Sequence, residues 1–438
     1  MKTEAGGGRP EAKGPGTEGI SPFVAPSPTS DLPPPASRLR SLASVWRRAA
    51  LALVITGLFL TSGCVGFHRE APRPGRTTLN SPLVVLPAQS LGNYLIVEAK
   101  WDRSRPYHFL IDTGSSVTLV SPEIAKRYAA KNAPASAAPE VHVKSAEGNA
   151  VVLPSTTLRR LELGDARFEN VPVLVYDCTP LSAHLGVKID AILGFPLFRE
   201  TQLTLDYPHS RVRLNSAYAA PLQPGTTIPF NNASRTPLIP IRLGDATFIA
   251  LIDSGSDAPL SLNPVGLQLA YAMAPRPGAT VSTLTGDRTQ QVGRLAGTLV
   301  IGNYDLPRPV VEITDELSAI GGAVLRNFIV TFNQEKNQVT FYRETPEPIA
   351  FGPFRSSGLS FSKAPAYWRV AGVVANSSAA AARVQPGDLV TRINGEPVAQ
   401  WDFRRYEQLV AAAPSIIFTF LNGSRENDLT LPVFELVP

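Results

Sequence analysis

Two short stretches of the chain each place a carboxylate at the end of an apolar run. Residues 109–116 read FLIDTGSS and residues 249–256 read IALIDSGS, so Asp253 follows Asp112 by 141 positions. Two carboxyl groups about 3 Å apart cannot both ionise, so one can act as general acid while the other acts as general base on water. A single acid-hydroxyl-glycine triplet also fits an ordinary strand-to-turn junction. Its repetition favours a paired site with one acid from each half of the chain.

The elements that must position the two acids recur in the same order in residues 84–220 and 221–345. In the first half, apolar and alternating runs predict strands at 83–86, 94–99, 107–111, 117–120, 158–163, 171–175, 202–206 and 211–214, a helix at 122–128, a hairpin at 141–153 and an ILG step at 192–194. In the second half, they predict strands at 240–243, 247–252, 297–301, 310–313, 329–333 and 338–342, a hairpin at 280–287 and an AIG step at 319–321. This internal repeat predicts a mainly β chain of two related lobes.

The repeat resembles the aspartic proteases, the clan that holds pepsin-like and retropepsin-like enzymes. The resemblance rests on residues 112–114 (DTG), 253–255 (DSG) and the later glycine steps that end at Gly194 and Gly321, and it covers about 260 residues. It is closer to two fused retropepsin halves than to pepsin, because the lobes are small and lack disulfides. The family implies a two-lobed, duplicated β-barrel fold in which Asp112 and Asp253 activate water.

The same resemblance assigns supporting roles to the residues that follow each acid, which are Thr113, Gly114 and Ser115 in the first loop and Ser254, Gly255 and Ser256 in the second. The first hydroxyl of each loop is expected to bond across to the opposite loop, the glycine to allow a tight turn, and the second hydroxyl to donate to the outer carboxylate oxygen. The turn at 146–149 is the candidate flap, a mobile cover. An ordinary surface hairpin there, or a flap at 285–287 instead, stays open.

Composition and other motifs exclude several classes of protein. The hydrophobic fraction of 44% and the charged fraction of 18% fit a globular chain. The net charge of +5 does not indicate binding to nucleic acid. The five histidines lack zinc-site spacing, and serine-hydrolase and nucleotide-loop motifs are missing, so neither a metal nor a cofactor is expected. Cys178 has no neighbours that would activate a thiol, and it is expected to be a lone, partly buried cysteine.

The N-terminal region predicts export. Residues 1–67 comprise a Gly/Pro-rich tail and then an Arg cluster, an apolar run from Ala49 to Leu60 and the small residues before Cys64. The order resembles a signal peptide with an imperfect bacterial lipobox, in which Cys64 would be lipidated. An uncleaved membrane helix from Ala49 to Phe67 is the alternative. Both interpretations place the rest of the chain outside the cytoplasm, with an outer-membrane lipoprotein in the periplasm favoured, and residues 68–83 as a tether.

The C-terminal region, residues 350–438, forms a further predicted domain. Residues 385–395 (QPGDLVTRING) resemble a bacterial PDZ domain. The resemblance implies that Gly358, Leu359, Ser360 and Phe361 form a loop whose backbone N–H groups bind the carboxylate of a peptide tail. A blocked or merely structural groove is the alternative.

These features together predict a membrane-anchored, monomeric aspartic endopeptidase acting on peptides or proteins, with a PDZ domain that binds substrate or partner tails. The rival interpretation is a catalytically inactive, anchored scaffold that works through the PDZ domain alone. The change from Thr113 to Ser254 between the two triplets and the uncertain flap motivate that rival.

Overall fold

The fold is known from a computed structural model that describes residues 75–99, 101, 105–130, 140–144, 150–220, 223–283, 286–364 and 366–438. The chain is mainly β. Residues 75–438 belong to one compact unit. The predicted signal segment, Cys64 and the turn at 146–149 lie outside the described residues.

The first half contains eleven strands and two helices among the described residues. They are β1 (Thr77–Leu79), β2 (Leu83–Leu91), β3 (Tyr94–Ala99), β4 (Tyr107–Asp112), β5 (Thr118–Val120), α1 (Pro122–Tyr128), β6 (Glu140–Lys144), β7 (Ala150–Leu163), β8 (Ala166–Val175), α2 (Thr179–Leu185), β9 (Ala191–Gly194), β10 (Thr201–Asp206) and β11 (Arg211–Ser216). A 3-10 helix, Phe195–Phe198, follows β9. Helix α1 begins where predicted because Pro122 suits the first turn and the Ser121 hydroxyl accepts from Ile124 N.

The second half contains twelve strands and one short helix in the described part of the chain. They are β12 (Thr226–Pro229), β13 (Leu238–Leu243), β14 (Ala246–Ile252), β15 (Leu260–Leu262), β16 (Tyr271–Thr283), β17 (Gly286–Leu295), β18 (Thr298–Ile301), β19 (Tyr304–Pro307), β20 (Val310–Ile313), β21 (Ala319–Ile320), α3 (Gly322–Leu325), β22 (Ile329–Asn333) and β23 (Gln338–Tyr342). Strands β10 and β22 pair antiparallel, with Gln202 opposite Asn333. That pair joins the two halves in one sheet, in the order β12-β23-β22-β10-β11-β2.

The strand that carries each acid lies beside a later strand in parallel. Strand β4 pairs with β9 so that Asp112 lies opposite Gly194. Strand β14 pairs with β21 so that Ile252 lies opposite Ile320. Apolar side chains of both halves form one continuous core around these strands, and this burial fixes where each acid emerges.

The C-terminal module, residues 354–437, has its own core. Its elements are β24 (Phe354–Ser356), β25 (Leu359–Lys363), β26 (Trp368–Val373), α4 (Ser378–Ala381), β27 (Leu389–Ile393), β28 (Glu396–Pro397), a 3-10 helix (Val398–Gln400), α5 (Phe403–Ala412), β29 (Ser415–Asn422), β30 (Arg425–Pro432) and β31 (Phe434–Val437). The main sheet has the order β25-β26-β27-β29-β30. Strand β31 pairs with β24.

Arg294 of β17 joins the C-terminal module to the second half. Its guanidinium donates to the backbone oxygens of Pro438 (2.6 Å), Gly352 (2.7 Å), Arg308 (2.9 Å) and Phe351 (3.1 Å). The side chains of Val292, Val310, Val374, Leu436 and Val437 form a shared apolar cluster. The module is therefore docked on the second half by buried apolar contacts and an arginine that binds four carbonyl groups.

Part of the predicted tether is folded. The sequence predicts that residues 68–83 are a tether between the anchor and the folded domain, but β1 pairs with β8, with Thr77 opposite Phe168. Thr77 N also donates to Glu200 Oε2 at 2.8 Å. Strand β8 has an edge that β1 covers, and backbone pairing there satisfies groups that a free tether would leave to water.

Candidate functional site

Asp112 and Asp253 form a carboxyl pair between the two halves of the chain. Their side chains are in hydrogen-bonding contact. Asp112 is the last residue of β4, and Asp253 directly follows β14, whose last residue, Ile252, is fully buried. Each acid is half-buried, so one side of the carboxyl pair stays open.

Two buried hydroxyl groups cross-link the loops that carry the acids. Thr113 N donates to Ser254 Oγ and Ser254 N donates to Thr113 Oγ1, both at 3.0 Å. The Thr113 hydroxyl donates to Ile252 O at 2.7 Å, and the Ser254 hydroxyl donates to Ile111 O at 2.8 Å. Both side chains are fully buried. The four bonds are reciprocal, so Ser254 does in the second loop what Thr113 does in the first.

Gly114 and Gly255 leave the space that the opposite carboxyl group occupies. A methyl group at Gly114 would lie 2.4 Å from Asp253 Oδ1, and one at Gly255 would lie 2.4 Å from Asp112 Cγ. Any side chain at either position would therefore displace the partner acid. Glycine is required here for close approach rather than for an unusual backbone angle.

The later glycine steps let two backbones cross beside each acid loop. A methyl group at Gly194 would lie 2.1 Å from Val117 O, and one at Gly321 would lie 2.1 Å from Ala258 O. The next residue in each case bonds back to the acid loop, since Phe195 N donates to Ser115 O and Gly322 N donates to Ser256 O. The expected close passage of the backbones is present in both halves.

The serine hydroxyls after each glycine do not touch the carboxylates, contrary to the sequence-based expectation for Ser115 and Ser256. The Ser115 hydroxyl donates to Val117 O at 2.8 Å, and Ser256 Oγ accepts from Ala258 N at 3.3 Å. Each hydroxyl bonds to a backbone group two residues further along, within its own turn. The backbone N–H of Ser115, rather than its hydroxyl, donates to Asp112 Oδ1 at 3.0 Å.

Burial raises the pKa of both carboxyl groups in the pair. For Asp112, loss of hydration is the largest cause, followed by the neighbouring charge of Asp253, while the N–H groups of Gly114 and Ser115 act against both. For Asp253, loss of hydration again comes first, opposed by the N–H of Gly255. Because the two groups interact so closely, protons leave the pair in two steps that belong to both. Between those two steps the pair holds one shared proton.

Two tyrosines near the pair were not found from the sequence. Tyr94 begins β3 and Tyr207 follows β10, and both are buried. The pKa of each is raised, first by burial and then by carboxylates that include Asp112 and Asp253. Neither lies near the acids in sequence, so no local pattern could have placed them here.

The loop expected to bind a peptide carboxylate is closed in this structure. Residues 356–361, which include Gly358, Leu359, Ser360 and Phe361, are all buried. Gly358 N donates to Ser356 Oγ at 2.9 Å, and Leu359 N donates to Ser357 Oγ at 3.3 Å. Since the chain's own serine hydroxyls occupy these two N–H groups, they are not available to a carboxylate here.

Cys178 lies directly before α2 and is 3% exposed. Burial, followed by the charges of Asp177 and Asp190, raises the pKa of its thiol to about 12. The thiol is therefore protonated and buried, as expected of a structural cysteine.

In the described part of the chain, no three His, Cys, Asp or Glu side chains are grouped where they could hold a metal ion. None of the described helices is long and apolar enough to cross a membrane.

A family model described as aspartyl protease matches residues 97–197. The match includes Asp112, the triplet that it begins and the glycine step at Gly194. Asp253 lies beyond the match, so the second acid rests on the geometry alone. No curated protein matches the chain.

Proposed function

We propose that the chain is an aspartic-type endopeptidase in which Asp112 and Asp253 activate a single water molecule. The observation that carries the proposal is the hydrogen-bonding contact between the two carboxyl groups at the ends of β4 and β14. The reciprocal bonds of Thr113 and Ser254 support it, because they hold the acid loops in one arrangement. The aspartyl protease match over residues 97–197 supports the same class of reaction.

The pair can supply both proton transfers that amide hydrolysis needs. The ionised carboxylate takes a proton from water as the water oxygen bonds to the carbonyl carbon. The protonated carboxyl gives its proton to the carbonyl oxygen, which leaves a tetrahedral diol. When the C–N bond breaks, the departing nitrogen takes the proton held by one carboxyl group, and a diol hydroxyl gives its proton to the other as the carbonyl re-forms. The pair ends with one proton, as it began, and no covalent enzyme intermediate is needed.

We also infer that the two halves are related lobes of one duplicated fold. The support is that the strand leading to each acid has a parallel neighbour, β9 or β21, and that in both halves a glycine, Gly194 or Gly321, ends or follows that neighbour.

The C-terminal module is proposed to be a PDZ-like domain. Strand β25 is hydrogen-bonded only to β26 among the described residues, and β16 of the second half contacts it, so a partner's strand added at its other edge must displace β16. Tail binding would then use that edge rather than the closed loop at Gly358.

Export and membrane anchoring are part of the proposal and rest on the sequence of residues 1–67 alone. If Cys64 is the lipidation site, Cys64→Ala releases the protein from the membrane fraction or sends it elsewhere. Unchanged retention in the membrane favours the uncleaved helix from Ala49 to Phe67.

The activity is tested by offering a peptide library to the purified chain between pH 4 and 7. We expect cleavage that is abolished by Asp112→Asn and, separately, by Asp253→Asn. Asp245→Asn is the matched control, since Asp245 is exposed. Cleavage that survives either substitution overturns the mechanism. A wild-type chain that cleaves no peptide favours the inactive scaffold.

A further inference from the structure

The outermost strand of the second half's sheet, β16, lies against the C-terminal module. That sheet ends in the order β20-β17-β16, just as the sheet of the first half ends in the order β8-β7-β6. Among the described residues β16 pairs only with β17, and it contacts β25 and β26 of the module. The β16–β17 hairpin is therefore paired with its own half on one side and lies against the module on the other.

Apolar side chains pack β16 against the module. A methyl group at Gly278 would lie 3.3 Å from Leu436 Cδ2, so the Leu436 side chain of β31 lies directly on this part of β16. Leu436 is 1% exposed and belongs to the apolar cluster shared with the second half, not to the module's own core. Met273 of β16 packs against the same cluster. Shortening the Leu436 side chain therefore weakens this contact without opening the module's own core.

Arg294 fixes the other strand of the hairpin, β17, to the module. Its guanidinium donates to Phe351 O and Gly352 O, which precede β24, and to Pro438 O, which follows β31. The Arg294 side chain is buried, and hydrogen bonds from a charged donor are stronger than those between neutral groups. One side chain of β17 thus binds the chain on both sides of the module.

The module's strand β25 is in contact with other parts of the same chain. Strand β16 lies against it. At its start, Ser357 Oγ and Tyr406 Oη of α5 form a hydrogen bond of 2.6 Å, and the Tyr406 hydroxyl also lies 3.4 Å from Leu359 O. The Tyr406 ring packs edge-on against Phe361, with the ring centroids 5.5 Å apart. The structure therefore holds the module in a closed form, in which the chain's own groups contact the strand that a peptide would join.

We propose that the C-terminal module is an internal brace that holds the β16–β17 hairpin, and that an external peptide strand joins β25 only after this hairpin has been released. The inference deepens the proposed PDZ-like function of the module and rests on it. A strand added to a sheet edge is bound through main-chain hydrogen bonds along that edge, and β16 must leave before those bonds can form. The apparent affinity for an external strand is then reduced by the fraction of molecules in which the hairpin is released.

The test measures release of the hairpin and binding of a peptide on the same full chains. Arg294→Met and Leu436→Ala loosen the brace at two separate places, so the test does not depend on one variant. Arg242→Met, at an exposed residue of β13, is the matched control. We expect amide hydrogen exchange in β16 and β17 to be about 10-fold faster or more in both brace variants. Exchange in β10 and β11 should be unchanged, as should all exchange in the control.

The binding probe is a fluorescently labelled peptide of residues 271–283, the sequence of β16, with a scrambled peptide as its control. By fluorescence anisotropy, it should bind both brace variants at least about 10-fold more tightly than it binds the wild type or Arg242→Met. Bound peptide should also slow amide exchange in β25, which would locate it on that strand. The scrambled peptide should show no such difference between the chains.

The outcomes separate the brace from the proposed function. Exchange in β16 and β17 that neither brace variant changes overturns the brace and leaves the PDZ-like assignment standing. A wild type that binds the peptide at β25 as tightly as the variants do, with β16 still protected, overturns the competition and keeps the module as a peptide binder. A released hairpin with no peptide bound to any chain overturns the peptide-binding role together with the inference. None of these results depends on cleavage by Asp112 and Asp253.

Discussion

The loops after Asp112 and Asp253 agree at their centres and differ at their outer ends. At the centre, Thr113 and Ser254 make reciprocal bonds, and a methyl group at either following glycine would lie 2.4 Å from an atom of the opposite carboxyl group. At the outer end, the residue four positions after the acid is Ser116 in the first loop and Asp257 in the second. The pairing of two carboxyl groups constrains the centre, whereas the outer ends are free to differ in residue type and charge.

The largest effect is expected from filling the space beside each acid, which tests whether the centres of the two loops are equivalent. Gly114→Ala and Gly255→Ala should each lower kcat/KM by at least about 100-fold, because the added methyl displaces the partner carboxyl group. Steady-state kinetics on one cleaved peptide provides the measurement. Gly352→Ala is the control, since a methyl there meets nothing within 4 Å. If only one of the two variants loses activity, the loops are not equivalent.

The next largest effect is expected from removing the crossing hydroxyls. Thr113→Val and Ser254→Ala should each lower the free energy of unfolding by about 1–3 kcal/mol, because buried hydrogen-bonding groups lose their partners. Thr113→Ser keeps the hydroxyl and should cost about 1 kcal/mol or less, the effect of one buried methyl. Urea unfolding measures all three. A serine variant as unstable as the valine variant would mean that packing, not the bonds, joins the loops.

The carboxyl pair should also make stability fall as pH rises. Burial raises the pKa of both acids above their unfolded values, so the folded chain holds more protons than the unfolded chain between those values. The stability linked to that protonation is fully present below about pH 4 and is lost as pH rises through the folded pKa values.

Asp112→Asn and Asp253→Asn should reduce this decline, and at pH 7 each should be more stable than wild type by an amount on the order of 1 kcal/mol. Urea unfolding between pH 4 and 7 measures it, with Asp245→Asn as the control. A pH dependence of stability that is the same in the wild type and in both Asn variants would show that the acids are not buried against each other, because carboxylates with a lowered pKa, such as Asp206, act in the opposite direction in all three chains.

The smallest effects are expected at the outer serines. Ser115→Ala and Ser256→Ala should each change kcat/KM by less than about threefold, because neither hydroxyl contacts a carboxylate. Ser115→Ala should be the more destabilising of the two, since its bond to Val117 O at 2.8 Å is the shorter. A 100-fold loss in either variant would restore the role that the sequence suggested for these hydroxyls.

Local signals in the sequence predicted much of the first half. The bounds of α1 follow from Pro122 after a capping serine, and the positions of β4 and β9 follow from short apolar runs that end on Asp112 and Gly194. Helix α2 was missed, because Pro180 and the short run after Cys178 resemble a loop when they are taken alone. Strand β1 was missed because only its pairing with β8 makes it a strand.

The sequence predicted the residues at the centre of the site but not those around it. The two triplets specify the acids, the crossing hydroxyls and the glycines within a few residues of sequence. Tyr94 and Tyr207 come from other parts of the chain, and only the tertiary fold exposes their hydroxyl groups to the charges of Asp112 and Asp253. The orientation of Ser115 and Ser256 depends on a competition between two nearby hydrogen-bond acceptors or donors, which residue types alone do not decide.

The pH dependence of kcat/KM for a cleaved peptide, measured for the wild type and both Asn variants, tests the shared-proton pair most directly. A pair that must hold one proton gives a bell-shaped profile, with activity falling on both sides of a mildly acidic optimum, and neither Asn variant shows activity at any pH. Activity that rises steadily into the alkaline range, or that persists in either variant, would contradict catalysis by Asp112 and Asp253.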